Sequence, residues 1–110
     1  MSAPEIELLW WAGCPSTERA LADLLGALHE LGVDDVRVRK TELRTDDEAR
    51  ERGFLGSPTI LIDGGDPFAT DDDEVGLSCR VYRRRDGTIS PTPDPEDLRE
   101  ALLAVAEASR

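Results

Sequence analysis

Two short motifs place a thiol and a proline where redox chemistry could occur. Cys14 follows an apolar stretch that ends at Trp11, and it precedes a leucine-rich segment. A thiol at the start of a helix lies against free backbone amides and the positive end of the helix dipole, which favours the thiolate. Pro58 directly precedes the apolar residues 59–62, and an X-Pro bond in such a place can be cis and expose neighbouring backbone. The two motifs together indicate a reactive thiol, whereas either alone would be weak.

The elements that must position these motifs follow from the hydrophobic pattern. Residues 5–11 predict a strand, and leucines at helical spacing between positions 21 and 31 predict a helix. Gly32 is well placed to end that helix in a left-handed conformation. Val36 and Val38 alternate with arginines, which predicts a half-exposed strand near a sheet edge.

The second half of the chain continues with helices and strands. A capping box at 45–48 predicts a short helix, and the apolar residues 59–62 predict a buried strand. A polar, acidic loop spans 63–76. Residues 77–84 predict another strand, and Asp94 is placed to cap a final helix.

The order of these elements is βαβαββα. A parallel βαβ unit needs a crossover helix, and the last two strands could form a hairpin that the final helix covers. The chain of 110 residues is therefore expected to be a single α/β domain, 1–110, with a mixed central sheet and a loop insertion at about 63–76.

The composition excludes several kinds of partner. The formal net charge is −11 at pH 7, which argues against non-specific binding to nucleic acid or to an anionic membrane surface. No apolar run approaches the length of a membrane span, and the first residues lack the features of a signal peptide. We therefore expect a cytoplasmic location, where two cysteines are more often free, catalytic or metal-binding than joined as a structural disulfide. No cofactor and no resident metal are expected.

At these residues the chain resembles the thioredoxin-like superfamily. The element order agrees, Cys14 falls at the end of the first strand, and Ser57-Pro58-Thr59 stands where that superfamily keeps its cis-proline. The resemblance implies a thioredoxin-like fold and a thiol–disulfide oxidoreductase. It also implies that Pro58, with Ser57 and Thr59, binds the extended backbone of a substrate. Trp11, beside the thiol, could shape a docking surface or simply pack in the core.

One position departs from the dithiol members of that superfamily. They carry Cys-x-x-Cys, whereas this chain reads Cys14-Pro15-Ser16-Thr17. Pro15 suits the first helical position. The Thr17 hydroxyl could donate a hydrogen bond to the Cys14 thiolate, but it cannot close a disulfide. Cys14 is therefore predicted to act as a monothiol nucleophile towards a protein or a low-molecular-weight thiol or disulfide.

The second cysteine, Cys79, alternates with Leu77 and Val81, so it is expected on their apolar face as a buried structural residue. A role as resolving thiol stays open. A simple hairpin with strand 59–62 would place Cys79 away from Cys14, however, and a disulfide needs Cα atoms within about 7 Å.

Other uses of the site stay open as well. Cys14, alone or with Cys79, could bind a thiophilic ion such as mercury or copper(I), as in a relative of mercury-processing proteins. The chain could also be a non-catalytic adaptor that holds a partner at the proline loop. Arg80 and the arginines at 83–85 form a basic cluster that either balances nearby acids or docks an anionic partner.

Overall fold

Helices and strands alternate along the chain in an α/β arrangement. The computed structural model of the protein describes residues 5–33, 36–70 and 74–108. In chain order, the elements of these residues are β1 (Ile6–Trp10), α1 (Thr17–Glu30), β2 (Val38–Glu42), α2 (Asp46–Arg52), β3 (Thr59–Ile62), β4 (Tyr82–Arg83), β5 (Ile89–Ser90) and α3 (Pro95–Ala108).

The main sheet is mixed and has β1 at its centre. On one side, β2 pairs parallel with β1, with Ile6 opposite Val38. On the other side, β3 pairs antiparallel with β1, with Leu8 opposite Ile60. The parallel pair requires a crossover between its strands, and α1 supplies it. The expected α/β domain with a mixed sheet is therefore confirmed.

Successive residues of β1 point to opposite faces of the sheet, and each face has its own apolar cluster. Leu8 packs in the larger cluster, to which α1 and α3 contribute Leu24, Leu28 and Leu98, all of them almost fully buried. Leu9 packs in a smaller cluster on the other face. Burying a leucine side chain stabilises the fold by about 1.5–3 kcal/mol. Among the described residues, none of the helices is both long and apolar enough to cross a membrane.

Two predicted helix ends, the glycine end of α1 and the threonine cap of α2, follow local signals and are confirmed. Gly32 has φ of +74° after α1, and the backbone N–H of Val33 bonds to the carbonyl of Leu28. This is the Schellman arrangement that a left-handed glycine permits. Thr45 caps α2, because its hydroxyl accepts the N–H of Glu48 at 3.1 Å. The Glu48 carboxylate, in turn, accepts the N–H of Arg44 at 3.2 Å rather than that of Thr45.

The strand predicted at 77–84 is wrong in its extent and in its partner. Only β4 is a strand there, and it pairs antiparallel with β5, which the sequence analysis missed, rather than with β3. A turn with Gly87 at φ of +88° joins β4 to β5. The observed order therefore has an additional strand and a separate two-stranded sheet. Within residues 77–81, Cys79 instead pairs with Ser57 in an isolated bridge next to Pro58.

Candidate functional site

The loop between β1 and α1 holds Cys14 in a buried position. The N–H of Cys14 bonds to the carbonyl of Trp11 at 3.1 Å, which closes a turn. A Cβ at Gly13 would lie 2.4 Å from a ring atom of Trp11, so glycine lets the indole pack over this turn. The Cys14 residue is 4% exposed. Because α1 begins at Thr17, the expectation that Pro15 is the first helical residue is wrong.

The proline loop lies directly against this thiol. The Ser57–Pro58 peptide bond is cis, as expected. The Ser57 hydroxyl accepts the N–H of Trp11 at 3.0 Å, and the protonated Cys14 thiol donates to the carbonyl of Ser57 at 3.3 Å. The two sequence motifs therefore lie next to each other in the structure.

Cys79 also lies at this point, contrary to expectation. Cys79 pairs with Ser57 in a parallel β-bridge. The N–H of Ser57 bonds to the carbonyl of Ser78 at 2.7 Å, and the N–H of Arg80 bonds to the carbonyl of Ser57 at 2.8 Å. Cys79 stands between these bonds and hydrogen-bonds with Cys14 through its side chain. Both cysteines are free thiols, and Cys79 is exposed. The expectations of a buried Cys79 and of a hairpin that keeps it away from Cys14 are both wrong.

Gly56 makes this close pairing possible. Its φ of +117° belongs to the region that glycine tolerates and other residues rarely adopt. A Cβ at Gly56 would also lie 2.9 Å from the Cβ of Arg80 and 3.0 Å from its backbone nitrogen. Any larger residue at position 56 would therefore push away the segment that carries Cys79.

The Arg80 side chain anchors that segment from inside. It is 2% exposed, and its guanidinium forms an ion pair with Asp66 at 2.7 Å and donates to the Thr59 hydroxyl at 3.3 Å. The guanidinium also lies 4.6 Å from the ring centroid of Tyr82, a cation–π distance. The Tyr82 hydroxyl donates to the carbonyl of Pro58. Arg80 is therefore a structural anchor of the proline loop and not part of a surface cluster.

Two further arginines of the same cluster also bind groups of the chain itself. Arg84 donates to the Thr92 hydroxyl at 2.9 Å. Arg85 forms ion pairs with three acids of α3, at distances of 2.7 and 2.8 Å: Glu96, Asp97 and Glu100. Of the two uses proposed for this cluster, the balancing of nearby acids is the one that these contacts support.

The two thiols titrate in opposite directions. Burial raises the pKa of Cys14, but hydrogen bonds from Cys79, Ser16 and Ser57 to its sulfur outweigh burial and lower that pKa overall. The hydrogen bond to Cys14 raises the pKa of Cys79, and burial and repulsion between the two sulfurs raise it further. The first negative charge of the pair therefore rests on Cys14, with Cys79 as its hydrogen-bond donor.

Ser16, rather than Thr17, supports the thiolate. The hydroxyl and backbone N–H of Ser16 hydrogen-bond with Cys14, and that hydroxyl makes no capping bond to α1. Thr17 is buried, and its hydroxyl has no hydrogen-bond partner among the described residues. The expected hydrogen bond from Thr17 to Cys14 is therefore wrong. In the sequence, the position of Ser16 two residues after Cys14 was the available signal that it could support the thiolate.

The residues expected to bind a substrate backbone make contacts within the chain. Both backbone hydrogen-bonding groups of Ser57 pair with the segment 78–80. The Thr59 hydroxyl donates to the carbonyl of Gly56 at 2.6 Å, and the Pro58 carbonyl accepts the Tyr82 hydroxyl. Trp11 is half-buried and packs against the smaller apolar cluster. No signal in the sequence pointed to Arg80 or Tyr82 as partners of this loop.

The described residues contain no group of three or more His, Cys, Asp or Glu side chains that could hold a metal ion. The chain matches no protein family, no curated protein and no solved structure with which it was compared. Arguments about function therefore rest on the geometry of this site.

Proposed function

We propose that the protein is a thiol–disulfide oxidoreductase with Cys14 and Cys79 as its redox couple. The observation that carries this proposal is the contact between the two side chains, with the pKa of Cys14 lowered and that of Cys79 raised. A thiolate is the nucleophile in disulfide exchange, and a second thiol within reach releases the mixed disulfide. A dithiol mechanism is proposed in place of the monothiol mechanism inferred from Thr17.

A thioredoxin-like fold is part of the proposal. Four features support it: the order β1-α1-β2-α2-β3, the strand order β2-β1-β3, a thiol between β1 and α1, and a cis-proline before β3. The separate hairpin of β4 and β5 is the departure, because that superfamily would add the fourth strand to the edge of β3.

The net reaction moves two electrons from the protein to the substrate. One thiolate attacks a substrate disulfide, so that a protein–substrate S–S bond forms while the substrate S–S bond breaks and one substrate thiolate leaves. The second thiol loses its proton and attacks the mixed disulfide, which releases the other substrate thiolate. The leaving thiolates take up protons from the protein or from water. The products are two substrate thiols and a Cys14–Cys79 disulfide.

In the test, the reduced protein is equilibrated in glutathione buffers of graded potential. The samples are then quenched with acid and alkylated, and their intact masses are measured. We expect an internal disulfide that forms independently of protein concentration. Cys14→Ser and Cys79→Ser form a matched pair of controls, and each should stop at a mixed disulfide with glutathione. Two freely alkylated thiols at about −180 mV, the poise of an oxidising compartment, would refute the proposal.

The same contact supports a second candidate function, the binding of a thiophilic ion. Thiolates select copper(I) and similar soft ions, and two adjacent sulfurs suit a two-coordinate ion. Titration with copper(I) against a coloured chelator should then give one ion per chain, with binding lost in Cys14→Ser and in Cys79→Ser alike. Unchanged alkylation of both thiols at equimolar copper(I) would exclude it.

A further inference from the structure

We propose that this dithiol pair reacts with low-molecular-weight disulfides rather than with extended polypeptides, and that Cys79 forms the first bond to the substrate. This inference rests on the proposed function and adds the substrate class and the order of attack. It starts from the segment Ser78–Arg80, called here the covering segment.

The covering segment occupies the backbone edge beside the thiols. An extended polypeptide would bind there by pairing its backbone with the N–H and carbonyl of Ser57. Those two groups already bond to Ser78 and Arg80, at 2.7 and 2.8 Å. A polypeptide substrate would have to displace the covering segment before it could pair with this edge.

Displacement of the covering segment would break several buried contacts. Arg80 would have to leave its ion pair with Asp66, whose side chain is only 12% exposed. It would also leave the Thr59 hydroxyl and the face of Tyr82. A buried charge that loses its partner is strongly unfavourable. The edge is therefore closed to polypeptides in the folded protein.

The solvent exposure of the two cysteines determines which sulfur reacts first with the substrate. Cys14 is 4% exposed, whereas Cys79 is exposed to solvent. Attack on a disulfide requires the sulfur to approach the S–S bond directly, so access limits the rate as much as the thiolate fraction does. A small disulfide can reach Cys79 without any movement of the covering segment.

The hydrogen bond between the thiols supplies the proton transfer. As the Cys79 sulfur attacks, its proton passes to the Cys14 thiolate, a Cys79–substrate bond forms, and the first substrate thiolate leaves. Cys14 then gives that proton to the departing thiolate or to water and attacks the Cys79 sulfur. The Cys79–substrate bond breaks, the second substrate thiolate leaves, and the Cys14–Cys79 disulfide remains.

The experiment compares two uncharged disulfides, so that the net charge of −11 favours neither of them. One is bis(2-hydroxyethyl) disulfide, and the other is the disulfide-linked dimer of a short uncharged peptide with a central cysteine. The oxidation rate of the reduced wild type is followed by quenched alkylation. We expect the peptide to react no faster than the small disulfide, because the two backbone groups of Ser57 that could hold a polypeptide are already bonded to the covering segment.

The order of attack is measured with the small disulfide and the two serine variants. Cys14→Ser should collect its adduct on Cys79, and Cys79→Ser should collect an adduct on Cys14 at least about tenfold more slowly, since burial limits access. Equal or faster modification of Cys79→Ser would overturn the order. Faster oxidation by the peptide than by the small disulfide would overturn the substrate class. Failure of the wild type to be oxidised by either disulfide would refute the proposed function itself.

Discussion

Replacement of the buried Arg80 by methionine tests the anchor on which the site depends. Methionine keeps much of the apolar length of the side chain but removes its charge. In Arg80→Met, Asp66 keeps a nearly buried carboxylate without the guanidinium that lies 2.7 Å away in the wild type. The hydrogen bond to Thr59 and the cation–π contact with Tyr82 are lost as well.

The expected loss of stability is large for a chain of this size. Breaking a buried ion pair by removing one partner costs about 3–5 kcal/mol, because the remaining charge is left uncompensated. Methionine recovers part of the packing, so we expect Arg80→Met to lower the free energy of unfolding by about 3 kcal/mol. A domain of this size has about 5–15 kcal/mol in total, so the variant should still fold.

Urea unfolding of the reduced protein, followed by circular dichroism, measures this effect. Arg83→Met is the matched control, because Arg83 is an exposed arginine of β4 and should change stability by less than about 0.5 kcal/mol. Asp66→Asn and the double variant complete a cycle, in which we expect a coupling energy of about 1–3 kcal/mol. A loss in Arg80→Met no greater than that in Arg83→Met would refute the anchoring role.

Three further predictions concern the caps and the site. Thr45→Ala should lower the free energy of unfolding by about 1 kcal/mol through loss of the α2 cap, with Thr45→Ser, which keeps the hydroxyl, as control; an unchanged urea midpoint would contradict this. Gly56→Ala should lower the free energy of unfolding by about 1–3 kcal/mol, because the added Cβ strains the backbone and displaces the segment that carries Cys79. That displacement should also raise the alkylation rate of Cys14. An alkylation rate equal to that of the wild type would refute the close approach of Gly56 to this segment. At pH values between the lowered pKa of Cys14 in the folded protein and the ordinary pKa of cysteine, the unfolded chain binds more protons than the folded protein, so the stability of the reduced protein should rise with pH. Above the ordinary pKa of cysteine, the raised pKa of Cys79 lets the folded protein bind more protons than the unfolded chain, so stability should fall with pH. Urea midpoints across this range should rise and then fall in the wild type but not in the variant with both cysteines changed to serine.

The correct predictions from sequence rest on signals carried within a few residues. The cap at Thr45 and the glycine end at Gly32 depend only on neighbouring backbone, and both are present. The approach of Cys14 to Pro58 was implied by the resemblance to the thioredoxin-like superfamily, and in the structure β3 pairs antiparallel with β1, the strand that precedes the thiol.

The position of Cys79 could not be read in this way. Its alternation with Leu77 and Val81 predicts an ordinary strand, yet Val81 is 61% exposed and the segment pairs with Ser57 instead. That pairing depends on a buried arginine held by Asp66 and on a glycine that permits close approach, contacts between residues far apart in sequence. An arginine among other arginines carries no sign that it will be buried.

The distance along the chain between the two thiols links redox state to folding. A Cys-x-x-Cys disulfide closes a loop of only a few residues, so oxidation lowers the entropy of the unfolded chain less than a long loop does. A disulfide between Cys14 and Cys79 would close a loop of about 65 residues, for which the chain-entropy relation gives a stabilisation of about 4 kcal/mol. Reduction would remove that stabilisation, and the population of unfolded chains open to proteolysis would rise accordingly. Each turnover of such a couple would then alternate the protein between a long-lived oxidised form and a more readily degraded reduced form.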